Sequence, residues 1–150
     1  MRNVQEILAK IVDPLQPERD LLVDELNDQL EDGQYDDTTT RGIVLELVEL
    51  AQSESNSDVH ESILNLLAGH YLPGVTASSE IEAFVVAQMS TFSVGSLDHA
   101  LGIVAESELK TREQILARYA QSDNPGIRET AEYFLTKERW VHTKNLGSSK

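Results

Sequence analysis

Cysteine is absent from this chain, which removes disulfides, thiolate metal sites and cysteine nucleophiles and fits a reducing compartment. Long apolar runs are absent too: nothing approaches the roughly 20 consecutive apolar residues of a membrane span. The opening Met1-Arg2-Asn3-Val4-Gln5-Glu6 meets polar and acidic residues where a secretory leader would need an apolar stretch. A soluble, cytoplasmic protein is expected. Residues 62–109 contain no Lys or Arg. Sustained two-residue alternation is scarce, so almost no strand is predicted. There is no HExxH, GxSxG elbow, P-loop or GxGxxG, so neither catalysis nor a cofactor is expected.

What is present is helical and acidic. The 150 residues suffice for one domain burying about two thirds of the surface its unfolded chain exposes. The net charge of -14 is unevenly spread: residues 1–61 hold 16 acids against 4 bases, residues 62–109 hold 5 acids, and residues 110–150 hold 5 acids and 8 bases. The segments therefore run -12, -5 and +3. A field of that sign repels nucleic acid, whose binding depends on Lys and Arg neutralising phosphates, and repels anionic membrane surfaces. The natural complement is a basic protein.

Part of the sequence occurs twice. Thr40-Arg41, Val44-Leu45 and Ala51-Gln52-Ser53 return as Thr111-Arg112, Ile115-Leu116 and Ala120-Gln121-Ser122. Each copy runs into a second helical pattern, Val59-His60-Glu61-Ser62-Ile63 through Leu67 and Ile127-Arg128-Glu129-Thr130-Ala131 through Leu135. The spacing of about 70 residues is twice that of helix-pair repeats, so a further unit is expected between the copies.

Apolar periodicity and stop signals predict eight helices. The first covers residues 4–12, and the second residues 17–30, stopped by Asp32-Gly33. After a polar link at 34–37, a third begins from a Thr38 or Thr39 cap and reaches about Ser53, apolar on several sides as a central helix would be. The fourth begins at a Ser57 cap and ends at Leu72-Pro73-Gly74. The fifth follows Ser78 or Ser79, with Glu82 at capping-box spacing from Ser79. Gly95-Ser96 is read as a break before a sixth at 97–105; a seventh covers 111–121. The eighth opens at Asn124-Pro125 and frays near Trp140. An all-α domain of residues 1–143, in four antiparallel pairs, is expected, with 144–150 as a flexible polar tail.

Asn124-Pro125-Gly126-Ile127-Arg128-Glu129-Thr130-Ala131, then Leu135, resembles the second-helix motif of HEAT repeats. The copy at Asp58-Val59-His60 is degenerate, and the unit at 95–105 departs most, so an irregular all-α bundle stays open as the alternative. The resemblance implies an α-solenoid, and HEAT-like domains mostly bind other proteins.

The densest charge lies on the second helix and the link after it. At 100 degrees per residue Asp20, Asp24, Asp28 and Glu31 form one stripe and Glu18, Glu25 and Asp32 a second beside it, with Asp36 and Asp37 following. One reading is a solvated outer face that aids solubility. The other is a docking face for a basic partner, joined by Glu46, Glu49 and Asp58, because like charges at i and i+4 carry a recurring cost. A calcium loop centred on Gly33 fails: Leu30 occupies its third position and Thr39 its twelfth, where a bidentate Glu is required. No metal is expected, since His60, His70, His99 and His142 show no ligand spacing. His60 takes the place of Arg128 in the repeat and is a candidate polar link between units.

Tyr133, Phe134, Lys137, Arg139, Trp140, His142 and Lys144 could track phosphates and stack bases. Sealing the open end of the last repeat is the preferred expectation. Small size and acidity resemble bacterial toxin-immunity proteins in type. The expected function is thus a non-catalytic module that blocks a basic, nuclease-type toxin, as a monomer or weak homo-oligomer; the alternative is an adaptor using the concave face of the repeat.

Overall fold

The structure, a computed structural model, describes residues 3–75 and 77–148, with side chains as far as residue 137. Eight α-helices form: α1 Val4–Val12, α2 Arg19–Glu31, α3 Asp37–Ala51, α4 Ser57–His70, α5 Ser78–Gln88, α6 Val94–Glu106, α7 Arg112–Tyr119 and α8 Pro125–Ser148, with a 3-10 turn at Met89–Thr91 after α5. No strand occurs among the described residues, and no helix among them is long and apolar enough to cross a membrane. The all-α expectation holds.

Most helix ends lie where cap chemistry puts them. Asn3 Oδ1 accepts from the Gln5 N–H at 2.7 Å to open α1, and Asn124 Oδ1 accepts from Ile127 N–H with Pro125 at the first position of α8. Gly33, at φ +70°, closes α2. Its N–H donates to Leu30 O and that of Gln34 to Gln29 O, the paired bonds of a Schellman cap, which glycine adopts without steric cost.

Five expected boundaries are corrected. The cap of α3 is Asp36, accepting from Thr39 N–H at 2.7 Å, rather than Thr38 or Thr39; an ionised acceptor at a helix N-terminus outbids a hydroxyl. Asn56, one residue before Ser57, caps α4 by accepting from both Asp58 and Val59 N–H. The Ser79 capping box is not made: Ala77, at φ 73°, precedes α5, and Glu82 accepts from the Tyr71 hydroxyl instead. Gly95-Ser96 lies inside α6, because both residues serve tertiary contacts. α8 runs to Ser148, past the expected end near Trp140. The side chains of Glu138, Arg139, Trp140, His142 and Lys144, and the tail expected at 144–150, lie outside the described side chains.

Each odd-numbered helix contacts its successor, giving the expected pairs α1–α2, α3–α4, α5–α6 and α7–α8. The even-numbered helices also contact one another in succession, α2 to α4 to α6 to α8. Among the odd-numbered helices the only substantial contact in the described residues is α3 with α5. The central helices are therefore α4, which touches α2, α3 and α6, and α6, which touches α4, α5, α7 and α8, rather than α3. Ile63, Leu64, Leu66 and Leu67 of α4 are fully buried, meeting Val23 and Leu26 of α2 and Leu101 and Ile103 of α6 in one core. Each such side chain contributes about 1.5–3 kcal/mol by leaving water. The core thereby fixes the rotation of α2 and α4, and with it the direction of their acidic stripes.

Candidate functional site

Asp58, Glu61, Ser62 and Asn65 lie at i, i+3, i+4 and i+7 on α4, on the side away from Ile63 and Leu66. Asp20 and Asp24 form the matching stripe of α2. Since α2 packs on α4 and α4 on α6, these stripes face each other across an open groove of about 270 Å³, with His99 of α6 on its far wall. Four carboxylates, Asp20, Asp24, Asp58 and Glu61, line it, and among the described residues no Lys or Arg does. The Glu61 carboxylate lies over Gly95 and occupies the space that a Cβ there would need. It is thereby held at the N-terminal end of α6, where the helix dipole favours a negative charge. Farther along the same helices, His70 Nε2 is 2.9 Å from Asn27 Oδ1.

No protein-family model, curated protein or solved structure matches this chain.

Of the twelve acids singled out in the sequence, the structure brings Asp20, Asp24 and Asp58 together. Glu18 and Glu25 line a separate shallow cleft with Leu21 and Leu22. Asp28, Glu31 and Asp32 are exposed toward the end of α2. Asp36 is engaged as a cap, and its bond to Thr39 N–H lowers its carboxyl below the usual range. Asp37 sits in the first turn of α3, Glu46 is exposed on α3, and Glu49 enters a different groove between α3 and α5. Glu61, Ser62, Asn65 and His99 were missed. The α4 residues carry a legible signal, the period of Asp58 on its own helix; His99 has none, since only packing brings α6 alongside. Among the described residues no group of three or more His, Cys, Asp or Glu could hold a metal ion.

A second polar cluster borders a separate cleft, lined by Glu54, His60 and Phe92 among others. Arg19 and Glu54 form a buried two-pronged ion pair, at 3.1 and 2.5 Å, with side chains only 9% and 6% exposed. Arg19 Nε also donates to Ile11 O at 2.6 Å, and Glu54 accepts from Asn56 N–H. Burial pushes the Glu54 carboxyl up, but the bonds from Arg19 and Asn56 and the charges of Arg19 and His60 together hold it below its ordinary value. His60 Nδ1 lies 2.7 Å from Ser96 Oγ, and its ring meets Phe92 edge-on at 4.7 Å and Phe84 at 6.4 Å. This joins α4 to α6, whereas Arg128 turns back to Ser122 O. Ser96 is fully buried, so no substrate reaches its hydroxyl in this conformation, and the pair acts as a polar bridge.

Burial lowers the pKa of His60, opposed in part by Glu54, and lowers that of His70, opposed in part by Glu31. Both rings are thus neutral in the fold at a pH where the unfolded chain begins to bind protons. Stability from them is complete above the ordinary 6.5 and is lost as pH falls below it toward the folded values. Urea midpoints measured from pH 7.5 down to pH 5 should fall less steeply in His60→Gln/His70→Gln than in the parent. Equal slopes would show that the two rings are not responsible.

Proposed function

We propose that this protein is a non-catalytic, HEAT-like helical-repeat module that binds a basic protein through the groove between α2, α4 and α6. The observation that carries this is the convergence of Asp20, Asp24, Asp58 and Glu61 from two helices on one open surface that no Lys or Arg lines among the described residues. The most concrete form is a cytoplasmic immunity protein for a nuclease-type toxin. A nuclease groove is positive because it must hold phosphates, and carboxylates set along two parallel helices can occupy it in their place. In this reading the closely packed even-numbered helices form the inner layer and the looser odd-numbered helices the outer one. The acidic face and the concave face are then one surface.

Capture from source-cell lysate at low salt should retain a basic nuclease-like protein that is released as salt rises, because steering charges are screened over about 8 Å at physiological ionic strength. The variant Asp20→Lys/Asp24→Lys/Asp58→Lys should keep its helicity and lose at least about tenfold in affinity, ~1.4 kcal/mol or more. Unchanged affinity would remove the acidic groove as the docking site. A salt-resistant, neutral partner would favour an adaptor in a larger assembly.

A further inference from the structure

Outside the acidic groove, a channel of about 630 Å³ opens between α3 and α5. Its floor is Val48 and Phe84, both buried, with Phe84 braced against Phe92 at 5.6 Å. On the α5 side the wall consists of Ala83 and Ala87, both exposed, whose methyl groups are too small to close the channel. Glu49 and Glu80, also exposed, stand on opposite rims. On each helix the lining residues recur at i, i+3, i+4 and i+7, so both present a straight stripe about two turns, or ~11 Å, long. Between Arg41 and Lys110 the chain has no Lys or Arg. A cation meeting these two rim carboxylates has to come from a partner or from a distant part of the fold.

We infer that this channel is a second docking surface, shaped for a short amphipathic helix of a protein partner that carries Lys or Arg beside its apolar stripe. The dimensions and chemistry match the helix-in-groove mode, in which two or three apolar anchors enter between helices and flanking charges set orientation. The apolar floor supplies affinity, and the opposed Glu49 and Glu80 select a helix with a cation on each flank. This surface lies on the odd-numbered helices and is distinct from the one proposed above, so the two stand or fall separately.

The test uses the full chain and a fluorescein-labelled peptide of about 14 residues with Leu at i, i+3, i+4 and i+7 and Lys at its flanks, read by fluorescence anisotropy at about 0.15 M salt. Saturable binding is expected. Ala83→Trp/Ala87→Trp, which fills the channel from exposed positions, should weaken it at least about tenfold with unchanged circular dichroism, and Glu49→Gln/Glu80→Gln should weaken it about threefold. Asp20→Lys/Asp24→Lys/Asp58→Lys should leave it within about twofold. The inference is overturned by no binding at millimolar peptide, by equal binding of a peptide with each Leu replaced by Ser, by tryptophan variants that bind normally, or by loss confined to the acidic-groove variant.

Discussion

Arg19→Ala is expected to destabilise the protein by about 3–5 kcal/mol, measured as the shift in urea unfolding at neutral pH. The truncation leaves the Glu54 carboxylate, 6% exposed, without either of its guanidinium bonds, and leaves Ile11 O without the Arg19 Nε–H that it accepts. A buried charge deprived of its partner costs far more than the pair itself contributes, because the penalty for leaving water is no longer offset. Arg19→Ala/Glu54→Ala should therefore be less destabilised than the sum of the single variants, and Arg19→Met/Glu54→Leu should recover most of the loss. The contribution of Glu54 has a defined pH sign. Its pKa is lower in the fold than the ordinary 4.5, so its share is complete above that value and disappears as pH falls through the folded one. A loss below about 1 kcal/mol for Arg19→Ala would mean that water reaches the pair.

Ile63→Ala is expected to cost about 2–5 kcal/mol, and Ile63→Val about 0.5–1.5 kcal/mol. Ile63 is fully buried on α4, the helix that touches α2, α3 and α6 at once. A cavity there has rigid walls on three sides and relaxes poorly. Against a typical total of about 5–15 kcal/mol, the larger loss leaves a substantial unfolded population in mild urea, with an unchanged slope of free energy against denaturant if the native state remains compact. The same variant should weaken the proposed partner in proportion to the unfolded fraction alone. A further loss of affinity in the folded fraction would show that α4 had rotated and carried Asp58 and Glu61 with it.

Signals that depend only on neighbouring residues are legible in the sequence. Gly33 could be recognised as the stop of α2 and Asn124-Pro125 as the start of α8, since left-handed glycine and a capped proline are satisfied within a few residues. Asp36, rather than Thr38 or Thr39, caps α3, a choice the sequence leaves open because several adjacent residues can cap and a difference of a fraction of a kcal/mol decides among them. Gly95-Ser96 was misread for a different reason. Its local preference is a break, but the Glu61 carboxylate occupies the space over Gly95 and His60 is hydrogen-bonded to Ser96 across 36 positions of sequence.

The acidic stripe of α2 was legible in full, and that of α4 in one residue. Helical period places Asp20 beside Asp24 and Asp58 beside Glu61 and Ser62 without any knowledge of the fold. The sequence by itself thus determined the helices, the apolar side of each, and the concentration of negative charge toward its N-terminal half. Only the tertiary structure decided that Asp20, Asp24, Asp58 and Glu61 share one groove while Glu49 turns into another. It alone decided that Arg19 and Glu54, 35 residues apart, meet in a largely buried ion pair. A helix face is set by bonds four residues long, whereas the choice of facing helix is made by the summed burial of many distant side chains, to which no short segment of sequence has access.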